Sequence, residues 1–137
     1  MIRSGLLKLV GGLGILIHLG FAVWHFAVPR AYRWFEYIPD APAELVTAIS
    51  AANFFLSVSM VLLGLAALAV LLWLWESPRG VTLAFSAMAL LWALRLGYQI
   101  LRPQGTMIHG VSALLLVLFG LTTACFLVPA ILVHQSV

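Results

Sequence analysis

Residues 45–75 read LVTAISAANFFLSVSMVLLGLAALAVLLWLW and contain no Asp, Glu, Lys, Arg or His. At 1.5 Å rise per residue, about 20 apolar residues suffice for a helix to cross a hydrocarbon core of about 30 Å. This run exceeds that length, so it either tilts or leaves its first turns outside the hydrocarbon. Backbone amides in lipid must be satisfied within the segment, which makes the run a helix.

Three further apolar stretches flank it: about Gly5 to Ala27, ending at Pro29; about Val81 to Ile100, ending at Arg102 and Pro103; and about Thr106 to Val133. None shows the alternation in segments of about ten residues that marks a membrane β-barrel. Ser77-Pro78-Arg79-Gly80 and Arg102-Pro103-Gln104-Gly105 have turn composition and make helices 2, 3 and 4 antiparallel neighbours. The sequence therefore predicts an all-α membrane protein, a single domain over residues 1–137 built as a four-transmembrane-helix antiparallel bundle. The one long connection, Val28 to Glu44, carries Arg30, Arg33, Glu36, Asp40 and Glu44 among Tyr32, Trp34, Phe35 and Tyr37. That mixture predicts a short interfacial segment at headgroup depth, broken by Pro39 and Pro42.

Composition agrees. The chain is 64% hydrophobic and 8% charged, with a mean hydropathy of +1.15. Soluble domains run near ~45–50% apolar and ~25% charged, and a chain this small has too much surface to hide the excess from water. The net charge of +3 comes from a few basic residues near segment ends, where lipid headgroups meet them, so nucleic acid is not expected as a partner. Arg3, Lys8 and Arg79 balance Arg30, Arg33 and Arg102, so the positive-inside rule favours neither orientation, although four spans put both termini on one side. The lone Cys125 makes no intrachain disulfide and reads as a small buried residue. The first run is too long for a signal-peptide core, contains His18 and His25, and is followed by no small-x-small site, so it reads as a retained helix. Small residues Ala89, Ala93 and Gly97, and Gly120 and Ala124, are the expected close-packing stripes of helices 3 and 4. Trp24, Trp34, Trp73 and Trp75 fall near segment ends, as an aromatic belt would.

Polar residues inside the spans are expensive in lipid and carry the functional expectation. Followed through an up-down-up-down bundle, His18, His25, Ser50, Asn53, Arg95, Tyr98, Gln99, Thr106 and His109 all fall in the half facing the long connection. His18, Asn53 and Arg95 come out roughly 9–14 Å below that surface, and His25, Gln99 and His109 at roughly 2–5 Å. A cavity open towards the long connection is expected there. Trp92, Arg95, Gln99 and Arg102 share one face of helix 3. Arg95 either snorkels to the headgroups, pairs with Glu36 or Glu44, or meets an anionic ligand. His18 and His25, seven residues apart, stand about 10.5 Å apart along one face, too far to share one small metal ion. They hydrogen-bond within the bundle or to a ligand, or each joins a ligand from another helix such as His109 to hold a metal, or they serve a haem for which Gly11 and Gly14 leave room and whose propionate Arg95 faces. Asn53 is either interhelical glue or part of the site, and Trp92 lines the cavity. No metalloprotease, phosphate-loop, dinucleotide or nucleophile-elbow motif is present, and no pair of acids suits acid–base chemistry.

The pattern of His25 at the end of helix 1, Asn53 in helix 2 and Trp92-x-x-Arg95-x-x-x-Gln99 in helix 3 resembles small four-helix bacterial membrane proteins of the DoxX-like type. The resemblance implies a bacterial cytoplasmic membrane and names no catalytic residue. The functional expectation is a small membrane protein holding an amphipathic or anionic ligand (a lipid, quinone or isoprenoid) on His18, His25, Asn53, Trp92, Arg95, Gln99 and His109, with no metal. The alternatives are an accessory subunit of a larger membrane complex or homo-oligomer, and a haem-binding redox protein or His-dependent membrane enzyme.

Overall fold

The computed structural model describes residues 2–106 and 108–135. It is all-helical. Four helices, α1 (Ile2–Ala31), α2 (Ala43–Trp73), α3 (Pro78–Leu101) and α4 (Val111–His134), are each long and apolar enough to cross a membrane. A short 3₁₀ turn, Trp34–Tyr37, occupies the long connection. There Arg33 adopts a left-handed backbone, with φ 51°, and its Nε donates to Glu36 Oε1 at 2.6 Å. Both side chains are exposed, so this pair contributes little stability.

The helix ends differ from expectation for local reasons. α1 does not stop at Pro29 but runs two residues past it. A proline in a last turn removes one backbone donor and crowds the carbonyl four residues back, which a neighbouring side chain can satisfy. α2 stops at Trp73, short of Trp75. α3 begins at Pro78, with Ser77 as its N-cap and the Gly80 amide donating to Ser77 Oγ at 3.4 Å. Proline is suited to that first position, because its missing N–H would have no helical partner there.

The largest difference is at α4, which begins at Val111 and not near Thr106. Gly105 and Gly110 take positive φ values of 75° and 80°, which a β-carbon would disfavour and which lie outside the helical region. Thr106 and His109 therefore precede α4 instead of opening it.

The chain divides into two compact units. One is His18–Leu65, and the other is the chain through Ile17 and from Ala66 onward. Within the second, α3 and α4 pack as an antiparallel hairpin. Thr82 Oγ1 reaches Ala130 O, Phe85 meets Phe126 edge-on at 5.7 Å, Trp92 meets Phe119 at 5.5 Å, and Gln99 reaches Ser112. The residue numbers climb on one helix as they fall on the other. The early turns of α1 approach this hairpin closely. A β-carbon at Gly11 would stand 2.6 Å from Phe85 Cε2, and one at Gly14 would stand 2.9 Å from Cys125 Cβ.

These are the glycines that close packing uses. Of the anticipated stripes only Ala89 is buried. Ala93 and Ala124 are exposed, and no atom lies within 4 Å of a β-carbon built at Gly97 or Gly120. Trp75 is also no belt residue: it is 7% exposed, and its indole N–H donates to Ser4 Oγ at 3.1 Å, whereas Trp73 is 77% exposed.

Candidate functional site

Within the His18–Leu65 unit, three of the anticipated site residues aim at backbone carbonyls. His18 is fully buried and its Nε2 lies 2.8 Å from Met60 O. A carbonyl only accepts, so Nε2 carries the proton and donates. Gly64, one turn beyond Met60, makes the approach possible, because a β-carbon there would fall 2.8 Å from the His18 ring and 2.5 Å from Leu19. His25 Nδ1 lies 3.1 Å from Phe21 O, so by the same reasoning Nδ1 is its protonated nitrogen. The rings of Phe21 and His25 are 5.2 Å apart.

Asn53 Nδ2 donates to His25 O at 3.0 Å. In an uninterrupted helix that carbonyl accepts the N–H of the residue four places on. Here that residue is Pro29, which has none. Asn53 supplies from α2 the donor that α1 lacks. Ser57, one turn further along α2 and fully buried, donates to Asn53 O at 2.7 Å. Phe26 and Phe54 meet edge-on at 5.8 Å beside this pair. The cost of an amide in lipid singles out Asn53 but not its partner. A signal for the partner does exist in the sequence: a proline inside a spanning run orphans a carbonyl four residues before it.

In the α3–α4 hairpin, Trp92 is 1% exposed and packs on Phe119. Arg95, one turn later, holds its guanidinium carbon 5.1 Å from the centre of the Phe119 ring, and the residue is half-buried. Phe119 is the register partner of Trp92, nearer the start of α3. Helical side chains slope towards their own helix N-terminus, so in this antiparallel pair the Arg95 and Phe119 side chains lean towards each other. Glu36, one of its anticipated partners, bonds Arg33.

Gln99 is buried and both ends of its amide are engaged by the turn it precedes. Nε2 donates to Gln104 O at 3.2 Å, Ser112 O at 3.3 Å and Ser112 Oγ at 3.1 Å, while Gln104 N donates to Oε1 at 3.1 Å. Gln99 therefore closes the α3–α4 turn. His109 lies in that turn and is exposed. Phe119 and Ser112 are not foreseeable from sequence, since nothing distinguishes one phenylalanine from the chain's seven others before the register of α3 on α4 is known.

The notches at Gly11 and Gly14, expected from sequence to leave room for a macrocycle, are filled by Phe85 and by Cys125 with Phe126. His18 Nε2, whose lone pair an axial ligand would offer, instead carries its proton towards Met60. Among the described residues, no three His, Cys, Asp or Glu side chains gather as a metal site would require. No family model matches the chain, nor does any curated protein or solved structure.

Proposed function

We propose that the chain is a multi-pass protein of a bacterial cytoplasmic membrane, crossing it as an antiparallel four-helix bundle with both termini on one side. In it, Arg95 would hold the polar head of an amphipathic ligand whose tail lies along the apolar helices. The observation that carries this reading is the position of Arg95, half-buried within the apolar helix α3 with its guanidinium over Phe119, because a charge within a span is costly in lipid and is retained for function more often than for stability. Arg95 lies six residues before the end of α3, about 9 Å in from it, a depth that a lipid head reaches without leaving its leaflet.

Within this reading the other polar residues have distinct parts. Gln99 fixes the turn above Arg95, and Trp92 with Phe119 forms its apolar floor. His18, His25 and Asn53 hold backbone carbonyls and set the geometry of α1 on α2. The anticipated cavity and its ligand, whether lipid, quinone or isoprenoid, stand as parts of this proposal.

The test is organic extraction of the full chain purified in a mild non-ionic detergent. A lipid-like species should recover with wild type and be lost from Arg95→Ala, while circular dichroism stays unchanged. Equal recovery from both proteins would refute the role of Arg95. An oxidised and dithionite-reduced optical spectrum separates the haem alternative, since a Soret band that shifts on reduction and disappears in His18→Ala would replace this proposal. Stoichiometric co-purification of another chain, with no ligand, would favour an accessory subunit.

A further inference from the structure

Resting on the proposed membrane crossing but not on Arg95, we infer that the connection between α1 and α2 is a lipid-binding surface. Trp34 and Tyr37 lie in the interfacial layer of the bilayer, held there by their rings and not by charge, while the Arg33–Glu36 pair faces water. Residues 34–37 form a 3₁₀ turn, in which side chains three apart share a side. Tyr32, Phe35, Ile38 and Ala41 are each half-buried and make up the row that the chain covers. Arg33 and Glu36 make a second row, joined from Nε to Oε1 at 2.6 Å. Trp34 and Tyr37 make the third, exposed at 36% and 64%.

Tryptophan and tyrosine each join an apolar ring to a polar tip, and such side chains gather where hydrocarbon gives way to headgroups. Two of them on one exposed row fit a lipid surface better than they fit water. The segment joins the ends of two helices that are each apolar enough to span, which holds it at that depth. Exposed apolar side chains continue on both helices, with Trp24 and Phe26 on α1 and Leu45 on α2. Anionic membranes, by contrast, are recognised by clusters of Lys and Arg. Within residues 32–42 the one basic residue, Arg33, is tied to Glu36, and Asp40 leaves the remainder negative. Arg33 also occupies a left-handed backbone position, φ 51°, that glycine would fill with less strain. Arginine there supplies the bond that neutralises Glu36, so the turn brings no unpaired charge beside the ring row. The partner that fits is therefore a bilayer surface that need carry no net charge.

The experiment places a nitroxide label on single cysteines in the full chain, with Cys125→Ala as background, reconstituted in phosphatidylcholine vesicles. The sites are Trp34→Cys, Tyr37→Cys, Glu36→Cys and, midway along α2, the exposed Ser59→Cys. Collision with oxygen, which concentrates in lipid, is compared with collision with a water-soluble nickel chelate by power saturation. Oxygen should exceed the chelate at positions 34, 37 and 59, and the chelate should exceed oxygen at position 36. The values at 34 and 37 should be the same when half of the lipid is phosphatidylglycerol. Chelate in excess at 34 and 37, with 59 still in lipid, would overturn the inference and set the turn in water. Exclusion of both reagents from 34 and 37 would overturn it in favour of a protein partner or a second copy of the chain. Lipid exposure that requires phosphatidylglycerol would overturn binding by rings in favour of binding by charge. Chelate access at 59 would overturn the membrane crossing itself. A second measurement keeps Cys125 and needs no label: the emission lost between wild type and Trp34→Phe should be quenched by brominated phosphatidylcholine more than by acrylamide, and the reverse would overturn the inference.

Discussion

Asn53 and Pro29 make a pair whose interdependence can be measured. Pro29 leaves His25 O without its helical donor, and Asn53 Nδ2 fills the position at 3.0 Å. Replacing Asn53 with leucine preserves volume approximately and removes the donor. The residue is buried, so water does not readily substitute. An orphaned buried carbonyl costs about 1–3 kcal/mol, whereas side-chain hydrogen bonds between helices in lipid average about 0.6 and reach about 1.7 kcal/mol. The Ser57 bond to Asn53 O is made to backbone and survives the change. About 1–2 kcal/mol of destabilisation is therefore expected for Asn53→Leu.

In a Pro29→Ala background the new amide of residue 29 bonds His25 O within α1, and Asn53 becomes redundant. There Asn53→Leu should cost less than about 0.5 kcal/mol, a coupling of about 1 kcal/mol between the two positions. Equilibrium unfolding in mixed micelles, run on wild type, both single variants and the double variant, gives the four free energies. Hydrogen exchange across residues 26–31 should rise in Asn53→Leu and return to the wild-type rate in the double variant. An equal cost of Asn53→Leu in both backgrounds would refute the reasoning, because Asn53 would then be acting through something other than the proline-freed carbonyl.

Gln99→Leu removes the amide that joins Gln104 to Ser112 and should destabilise the chain by about 1–3 kcal/mol, with exchange increased across residues 103–110 and little changed within α2. Gly14→Ala sets a β-carbon 2.9 Å from Cys125 Cβ, which is tied to its backbone and cannot swing away, and should destabilise by about 1–3 kcal/mol, whereas Gly97→Ala meets nothing within 4 Å and should be neutral or slightly stabilising in the same unfolding assay.

What the sequence discloses and what it withholds have physical reasons. The four apolar runs are legible because a span must be about 20 residues long and free of charge, a condition that composition alone reveals. The start of α3 is read from sequence near Val81, three residues late, because Ser77-Pro78-Arg79-Gly80 has turn composition, whereas proline at the first helical position after a serine cap already begins the helix. The start of α4 is misplaced from sequence because Thr106 and Ile108 continue the apolar pattern, while the signal against helix lies in the backbone of Gly105 and Gly110 and in the hold of Gln99 on the turn.

The polar candidates divide similarly. That His18, His25, Asn53 and Arg95 are the candidates is visible from what a polar group in a lipid-spanning run would cost. Their tasks are not, because the acceptors at His18 and Asn53 are main-chain carbonyls of Met60 and His25, which carry no letter in the sequence. The small-residue stripes fail for a related reason. Spacing identifies glycines on one face, but only the packing tells whether that face meets Phe85 and Cys125, as Gly11 and Gly14 do, or open space, as Gly97 and Gly120 do.

The central claim is that Arg95 holds a ligand, and native mass spectrometry of the full chain released from non-ionic micelles addresses it most directly. Wild type and an Arg79→Ala control should both carry a stoichiometric adduct of lipid-like mass that resists mild activation, and Arg95→Ala should fly as the bare chain at the same charge states. A bare wild-type chain, or an adduct that persists undiminished in Arg95→Ala, would contradict the account.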